Sequence, residues 1–532
     1  MHKYLGNRFL LSLLCGLLLW ISWPVSGFAG IIFFAWIPLY QILKISLQKK
    51  QAGRFFLYVY LSMFVWNFCC TWWVAYSTLG GAALAILANS LLMSMVWQLS
   101  FSVGLRCGVR QAWITGCLLW LGFEWLHLNW ELTWPWLTLG NVFSEHIAWI
   151  QWYEFTGVPG GSLWVLAVNT LFILWIEKGF LYRNLLYACT SILLPILVGI
   201  LMFITHTEKG TSAQVMVLQP NIDPYGEKFG GLKVEAQMQK LLNLAEKKWT
   251  PDVQLMIGPE TSIPFDVWEH ELAVSPQVMT VKSFIARKNF TPFLLGASTA
   301  QYYATKEPPT FSARKMYQDE GYYDSYNSAI LVSKNDSVPV YHKSRLVPGV
   351  ERIPFPVLTK PLNSLAIDLG GTIGSLGIQE EREVFAVPGS SIIAAPVICY
   401  ESVYGAFVGD YVKNGANLLC IITNDGWWDD SPGYRQHLSY ARLRAIEHRR
   451  SIARSANTGI SGFINQRGEL MQASSWWRED ALKQALKLNE NKTLYTLLGD
   501  YIYAIAAFVS VLLLIAGLSG KILLNTFEKK SA

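Results

Sequence analysis

Long apolar runs fill the first two hundred residues of the 532-residue chain, and short apolar runs between polar stretches fill most of the rest. A helix needs roughly 20 mostly apolar residues to cross a bilayer core. Runs of that kind fall near 9–23, 28–43, 55–75, 82–105, 111–127, 162–176 and 185–204, with an eighth near 501–519. Lys3 and Arg8 ahead of a Leu-rich run have the outline of a signal peptide. Leu14-Cys15 lacks the small residue expected before a cleavage site, so a retained first helix is expected. The stretch 130–161 is too polar, and too interrupted by Pro135, Pro159 and glycines, for a plain span. It reads as an external loop, 128–161, whose Trp130, Trp134, Trp136, Trp149 and Trp152 suit the headgroup zone, as an interfacial anchor or as the lipid-facing wall of a substrate site.

Beyond residue 207 the pattern changes period. Strands are predicted at 214–218, 253–257, 291–296, 392–398 and 417–423, with hairpins from 328–332 with 338–341 and from 461–465 with 470–473. Helical spacing marks 232–247 and 434–453, and 276–286 opens with Ser275 as cap and Pro276 in the first turn. Strands alternating with helices predict a layered α/β domain over 208–498.

Composition sharpens this division. The chain is 52% hydrophobic and 15% charged, against roughly 25% charged in ordinary soluble proteins, which excludes a disordered chain. Residues 1–207 hold ten Lys/Arg and five Asp/Glu; the other 325 residues hold 65 of the 80 charged side chains. A net charge of +6 gives no case for a nucleic-acid partner, and the basic run 442–454 reads as a solvated or salt-bridged helix face. Lys and Arg fall at the start (Lys3, Arg8), after span two (Lys44, Lys49, Lys50, Arg54), after span four (Arg106, Arg110), after span six (Lys178, Arg183) and in the tail (Lys521, Lys529, Lys530), while the alternate loops have none. This alternation places both termini in the cytoplasm and 208–498 outside it. Six of the eight cysteines lie in or beside the spans; only Cys399 and Cys420 lie in the external region, so no disulfide framework is expected. His437 and His448, eleven residues apart, lack a metal-ligand spacing and read as surface or structural; Arg444 and Glu447 read as a bracing salt bridge.

Three reactive side chains follow predicted strands: Glu260 after 253–257, Lys343 after 338–341 and Cys399 after 392–398. Ligands of open α/β folds bind beyond such strand ends. A carboxylate can take the thiol proton, and an ammonium can stabilise the thiolate and a tetrahedral oxyanion. The set suffices for acyl transfer without His or metal, although residue types alone read a lone Cys at a strand end as core more often than as a nucleophile. Cys420, within an apolar strand, reads as core.

The surrounding words are more specific. Gly258-Pro259-Glu260-Thr261, then His342-Lys343-Ser344-Arg345-Leu346-Val347-Pro348 with Glu351, then Val397-Ile398-Cys399-Tyr400-Glu401, resemble the signatures of the nitrilase superfamily in order and spacing. With spans on either side, the chain resembles the membrane-embedded branch, the bacterial apolipoprotein N-acyltransferase family. Gln219-Pro220-Asn221-Ile222, Trp134-Pro135-Trp136-Leu137, Asn424-Asp425-Gly426-Trp427, Arg444-Ala445-Ile446-Glu447 and Arg454-Ser455-Ala456-Asn457-Thr458-Gly459 also fit. The resemblance implies a nitrilase-like αββα sandwich inserted in an eight-helix transmembrane bundle: 1–207 with seven helices, 208–498 catalytic and extracytoplasmic, 499–532 the eighth helix and tail. It implies transfer of an acyl chain from a phospholipid, typically phosphatidylethanolamine, to the amine of a lipoprotein's diacylglyceryl-cysteine at the bacterial inner membrane. Cys399 would be the nucleophile, Glu260 the base and Lys343 the oxyanion partner. Glu351, Tyr400 and Glu401 would support them, Glu351 by fixing Lys343. Phe229, Trp134, Trp136 and Trp427 are candidate substrate contacts. No cofactor or metal is implied. One departure concerns Phe229: the family often has Trp about ten residues after the first-block Gln, and Lys228-Phe229 fills that place here. Two rivals stand beside this reading: a membrane-tethered amidase using the same three residues, and a non-catalytic transporter or scaffold.

Overall fold

The computed structural model describes residues 7–317, 321–353 and 375–519. Lys3, Lys521, Lys529 and Lys530 of the charge pattern lie outside the described residues. The chain divides into two compact units. The first comprises Met1–Ala75, Leu79–Leu201 and Asp500–Ala532, and the second Tyr76–Thr78 and Met202–Gly499.

The first unit is helical. Its helices are Arg8–Ile21, Ile37–Gln48, Ala52–Thr71, Leu79–Cys107, Val109–Asn129, Tyr153–Glu177, Tyr182–Thr205 and Tyr501–Leu518. Counting the short turns that extend two of them, six stretches among the described residues are long and apolar enough to cross a membrane: Ala29–Gln48, Ala52–Tyr76, Leu79–Cys107, Tyr153–Glu177, Tyr182–Thr205 and Tyr501–Leu518. Arg8–Ile21 is apolar but shorter. Much of the tryptophan serves the interior. Trp36, Trp66, Trp97 and Trp120 are fully buried, with Trp36 meeting Trp120 edge-on at 4.8 Å.

The aromatic stretch after residue 129 is folded inward more than its composition suggests. It forms three short turns, Pro135–Leu137, Leu139–Phe143 and Ile147–Trp149, and the next helix already begins at Tyr153, broken at Gly157 (φ 61°) ahead of Pro159. Glu124 anchors it. One carboxylate oxygen accepts from Leu139 N (2.8 Å) and Trp120 Nε1 (3.0 Å), and the other from Tyr503 OH (2.7 Å). Ser162 Oγ lies 2.9 Å from Tyr503 OH and accepts from Gly140 N. Glu124 is therefore a buried, fully used acceptor.

The second unit holds two sheets. Its strands are β1 Thr211–Gln219, β2 Leu255–Ile257, β3 Ile263–Trp268, β4 Phe293–Tyr303, β5 Arg314–Lys315, β6 Tyr322–Val332, β7 Val340–His342, β8 Phe385–Ala386, β9 Ile393–Ile398, β10 Leu418–Thr423, β11 Ser451–Ala456, β12 Gly462–Ile464, β13 Leu470–Ala473 and β14 Asp480–Leu488. One sheet runs β14-β1-β2-β4-β6-β5, with β3 on β4 and β7 on β6; the other runs β13-β12-β11-β10-β9-β8. The sheets meet where Ser455 Oγ of β11 donates to Leu218 O of β1 (2.6 Å). Helices Val234–Lys248 and Pro276–Ala286 close the first sheet, with Leu241, Val278 and Phe284 packed on Met216, Met256 and Phe293. Helices Gly405–Lys413 and Pro432–His448 pack with the second. The product is a helix–sheet–sheet–helix sandwich, as the resemblance implied.

Several elements depart from expectation. The helix expected through residue 453 stops at His448, where Arg449 turns left-handed (φ 50°), and 451–456 is a buried strand. β14 is built from good helix formers, Asp-Ala-Leu-Lys-Gln-Ala-Leu-Lys-Leu, yet pairs antiparallel with β1 over nine residues; tertiary pairing overrides propensity. The basic run is not a solvated face. Arg444, Arg450 and Arg454 are fully buried; Arg444 pairs with Glu447 (2.7 Å) and Arg450 Nε donates to Ala416 O (2.8 Å). Pro396 is tolerated inside β9 because β8 pairs only with Ile393 and Ala394, which leaves that edge of residues 395–398 without a ladder.

Replacing Glu124 by Ala strands three buried donors, at roughly 1–3 kcal/mol for each group left unsatisfied. The thermal midpoint of the detergent-solubilised protein should fall clearly, and less for Glu124→Gln, which keeps one acceptor oxygen. An unchanged midpoint in Glu124→Ala would show that this network carries no stability.

Candidate active site

Each proposed reacting residue sits in a turn leaving a strand. After β2, Gly258 N donates to Leu294 O (2.8 Å) and Gly296 N to Pro259 O (3.1 Å), so β4 holds the Gly-Pro-Glu turn. Position 296 must be glycine: a Cβ there would lie 2.4 Å from Thr261 N and 2.6 Å from Glu260 Cα. Thr261 itself is left-handed (φ 48°). β7 delivers Lys343, whose backbone N–H donates to Asn327 O of β6 (2.8 Å). β9 ends at Cys399, which also takes positive φ (50°) and so turns its side chain out of the strand. Non-glycine residues in this region mark strain held for a purpose.

The four polar groups meet. Lys343 Nζ, 1% exposed, donates to Glu351 Oε1 (2.8 Å) and Glu260 Oε1 (3.2 Å). Asn327 Nδ2 donates to the same two oxygens, at 2.8 Å from Glu260 and 3.2 Å from Glu351. The other oxygen of Glu351 accepts from Val347 N (2.8 Å). Glu260, Lys343, Glu351, Asn327 and Cys399 all line one cavity of about 400 Å³ whose apolar wall includes Phe229, Phe265, Val350, Leu376 and Trp427. Burial alone would push the Lys343 ammonium down, but the charges of Glu260, Glu351 and Cys399 outweigh it and hold its pKa well above the ordinary lysine value. Burial, reinforced by the Glu260 charge, pushes the Cys399 thiol up despite the opposing Lys343 charge. The resting group is therefore a thiol, and a base is needed to make it a nucleophile.

The two residues after Cys399 are buried. Glu401 braces the turn: one oxygen accepts from Ile398 N (2.8 Å), the other from Tyr341 OH (2.8 Å) and Ser344 N (2.7 Å). It thereby ties the Cys399 turn to the residue after Lys343. Burial raises the Glu401 pKa, although these hydrogen bonds oppose it. The Tyr400 ring packs edge-on against Tyr404 at 5.3 Å. Phe229 stacks on Trp427 at 6.0 Å, and the Trp427 carbonyl accepts from Tyr225 OH (2.8 Å) and Ser77 Oγ (3.0 Å). Trp134 and Trp136 belong to the first unit and are not among the residues lining this cavity; Trp136 is buried against Trp73 and Trp134.

Three contributors were missed from sequence. Asn327 lies mid-strand in β6 with no motif around it. Lys228, 2% exposed, donates to the Glu260 carbonyl (2.9 Å). His437, read as surface or structural, is fully buried beneath Cys399: its Nε2 lies 3.2 Å from Cys399 O and 2.9 Å from Ser402 Oγ, its Nδ1 3.0 Å from Asp425 Oδ1. Burial opposes the Asp425 charge, but Arg454 (2.6 Å) and His437 outweigh it and hold that carboxyl well below the usual range. The conjunction of Asn-Asp-Gly with a later His and Arg was the available signal. Cys420 is buried core, and all eight cysteines are free. Among the described residues no group of three or more His, Cys, Asp or Glu could hold a metal ion.

The paired sheets and the turns that carry these side chains define a carbon-nitrogen hydrolase domain, and that family's model matches residues 209–494. The model for the apolipoprotein N-acyltransferase N-terminal domain matches residues 15–171. An apolipoprotein N-acyltransferase of Chlorobaculum tepidum is 32% identical over 97% of this chain and 98% of its own length. Apolipoprotein N-acyltransferase 1 of Treponema denticola is 25% identical over 98% of this chain and 97% of its own length. A solved amidase from Nesterenkonia sp. overlays with TM-score 0.35 and 13% identity, across 53% of this chain and 93% of its own. The chain belongs to the apolipoprotein N-acyltransferase family.

The raised Cys399 thiol gives a pH prediction. A group whose pKa lies above the usual thiol value of about 8.5 is still mostly protonated at pH of about 8.5. Alkylation of Cys399 by iodoacetamide, followed by peptide mass analysis, should therefore still be accelerating at that pH. A plateau near pH 7 would mean a thiolate already formed at rest.

Proposed function

We propose that this chain is a membrane-bound acyltransferase that moves a fatty acyl chain from a phospholipid to the N-terminal amine of the diacylglyceryl-cysteine of apolipoproteins, through a thioester on Cys399. The observation that carries the assignment of residues is the meeting of Glu260, Lys343 and Cys399 at one cavity in a chain of this family. Glu260 takes the thiol proton and the sulfur attacks the ester carbonyl. Lys343 faces the oxyanion of the tetrahedral intermediate. Collapse expels the lysophospholipid alkoxide, which takes the proton from Glu260, and leaves the thioester. The lipoprotein amine then attacks, giving a proton to Glu260; collapse forms the amide and expels the sulfur, which Glu260 protonates as the carbon–sulfur bond breaks. Glu351 holds Lys343, and Tyr400 and Glu401 hold the nucleophile's turn. Phe229 and Trp427 offer an apolar wall to the acyl chain. We assign phosphatidylethanolamine as the typical donor.

The same reading takes the first helical unit as an eight-span bundle, Arg8–Ile21 and Val109–Asn129 included, in the bacterial inner membrane. Both termini are cytoplasmic and 208–498 is periplasmic, as the loop charges argue. A phosphatase reporter fused after residue 210 should be active outside the cytoplasm; activity confined to the cytoplasm overturns this orientation.

Intact mass of the purified protein incubated with labelled phosphatidylethanolamine tests the chemistry. The expected result is one added acyl chain on Cys399, passed on to a lipopeptide amine. Cys399→Ala should take up none, and Glu260→Gln should form the thioester on the order of 10²–10⁴-fold more slowly. Release of free fatty acid without transfer would favour the amidase alternative, and normal acylation by Cys399→Ala would refute the mechanism.

A further inference from the structure

Lys228 belongs to the motif position where the family often carries Trp and this chain carries Lys-Phe, and the reaction as derived does not use it. Its side chain is 2% exposed, in a loop tied to the start of the following helix: its own N–H donates to Asp223 O (2.9 Å), and its carbonyl accepts from Gln237 Nε2 (2.8 Å). Its ammonium has three donors and one hydrogen-bond partner among the described residues, the Glu260 carbonyl oxygen at 2.9 Å. A buried ammonium so poorly filled is costly unless a nearby anion compensates. The anion is Glu260, whose charge raises the Lys228 pKa against the larger effect of burial; the balance leaves it lowered to about 8.

Glu260 needs such a partner for two reasons. Its backbone is pressed against Gly296 on one side and followed by left-handed Thr261, so the turn is strained and its carbonyl direction must be held. Its carboxylate also shares a single ammonium, Lys343, with a second carboxylate, Glu351. Two negative charges beside one cation leave a buried cluster with unbalanced charge; a second cation balances it. We infer that Lys228 is a positioning residue for the general base, gripping the Glu260 carbonyl and supplying the second positive charge that keeps its carboxylate ready to accept the Cys399 proton. Lys228 is not among the residues lining the cavity, so it acts through Glu260 and not on substrate.

This inference rests on the acyl-transfer reading, and the test separates the two. The full-length protein in detergent is mixed with labelled phosphatidylethanolamine over a range of concentrations, and the rate of thioester formation on Cys399 is read by intact mass. Lys228→Met should lower the saturated rate about 10- to 100-fold, a share of the effect of a general base, while the half-saturating donor concentration moves less than threefold. Lys228→Arg, which keeps donor and charge, should recover most of the rate. A saturated rate for Lys228→Met within threefold of wild type overturns the role of Lys228. So does Lys228→Arg as slow as Lys228→Met when both keep the wild-type thermal midpoint. If Lys228→Met does not fold, Lys228→Gln replaces it: Arg must exceed Gln about tenfold, and equality overturns the inference. A wild-type protein that never acquires an acyl chain overturns the acyl-transfer reading itself, whatever the variants do.

Discussion

A lysine ammonium with 1% of its side chain exposed sets the terms for the candidate site. Removing a charge from water costs several kcal/mol unless charge and hydrogen bonds replace the water. Lys343 finds both in Glu260 and Glu351, which arrive from different parts of the chain. Satisfying this one group requires β7 in register beside β6, the turn after β2 packed against β4, and the 347–351 turn folded back on itself. Asn327 completes the set by donating to both carboxylates, so each anion has two side-chain donors, and Glu351 has the Val347 N–H as a third. The site is an electrostatic cluster first, and the Cys399 thiol is added to it.

The addition is made through Glu401. Its carboxylate accepts from Ile398 on one side of Cys399 and from Ser344 beside Lys343. A single side chain therefore fixes the thiol's strand end relative to the ammonium's. His437 grips the same turn from below, at the Cys399 carbonyl and Ser402. The positive φ at Cys399 persists because these bonds over-determine the turn, as strained positions require. Lys228 at the Glu260 carbonyl repeats the arrangement there. Cys399 itself and Thr261, the residue after Glu260, take positive φ, and a buried nitrogen lies against the carbonyl of Cys399 and of Glu260.

This explains what could be read from sequence. Glu260, Lys343 and Cys399 were legible because each sits in a short run of residues at a strand end, where neighbours fix local geometry. Glu351 and Glu401 were legible as companions, although a bracing role spanning two turns could be seen only in space. Asn327, Lys228 and His437 act across long sequence separations and carry no local pattern. The α/β layering was legible from alternating periods. β11 and β14 were not, because Ala, Arg, Lys and Leu favour helix and become strands only when a partner strand is present. In the helical unit six of the eight expected spans are, among the described residues, long and apolar enough to cross a membrane. The inward turn of Trp136 and the service of Glu124 did not, since polarity gives the presence of a polar group and not its partners.

The electrostatics also bear on how one thiol serves both half-reactions. A thiolate of high pKa is a strong nucleophile toward an ester and a poor leaving group from the second tetrahedral intermediate. A low-pKa cysteine would leave easily but attack weakly. The buried, raised Cys399 thiol lies at the first extreme, so expulsion by the amine depends on a proton delivered as the carbon–sulfur bond breaks. On the proposed reaction Glu260 holds that proton at that moment, having just taken it from the amine. The Lys343 charge lowers the thiol somewhat and favours the leaving sulfur. A carboxylate and an ammonium at hydrogen-bond distance from one another, both lining the cavity with the thiol, thus answer opposite demands: one carries the proton in both directions, and the other moderates the sulfur so that neither half-reaction is blocked.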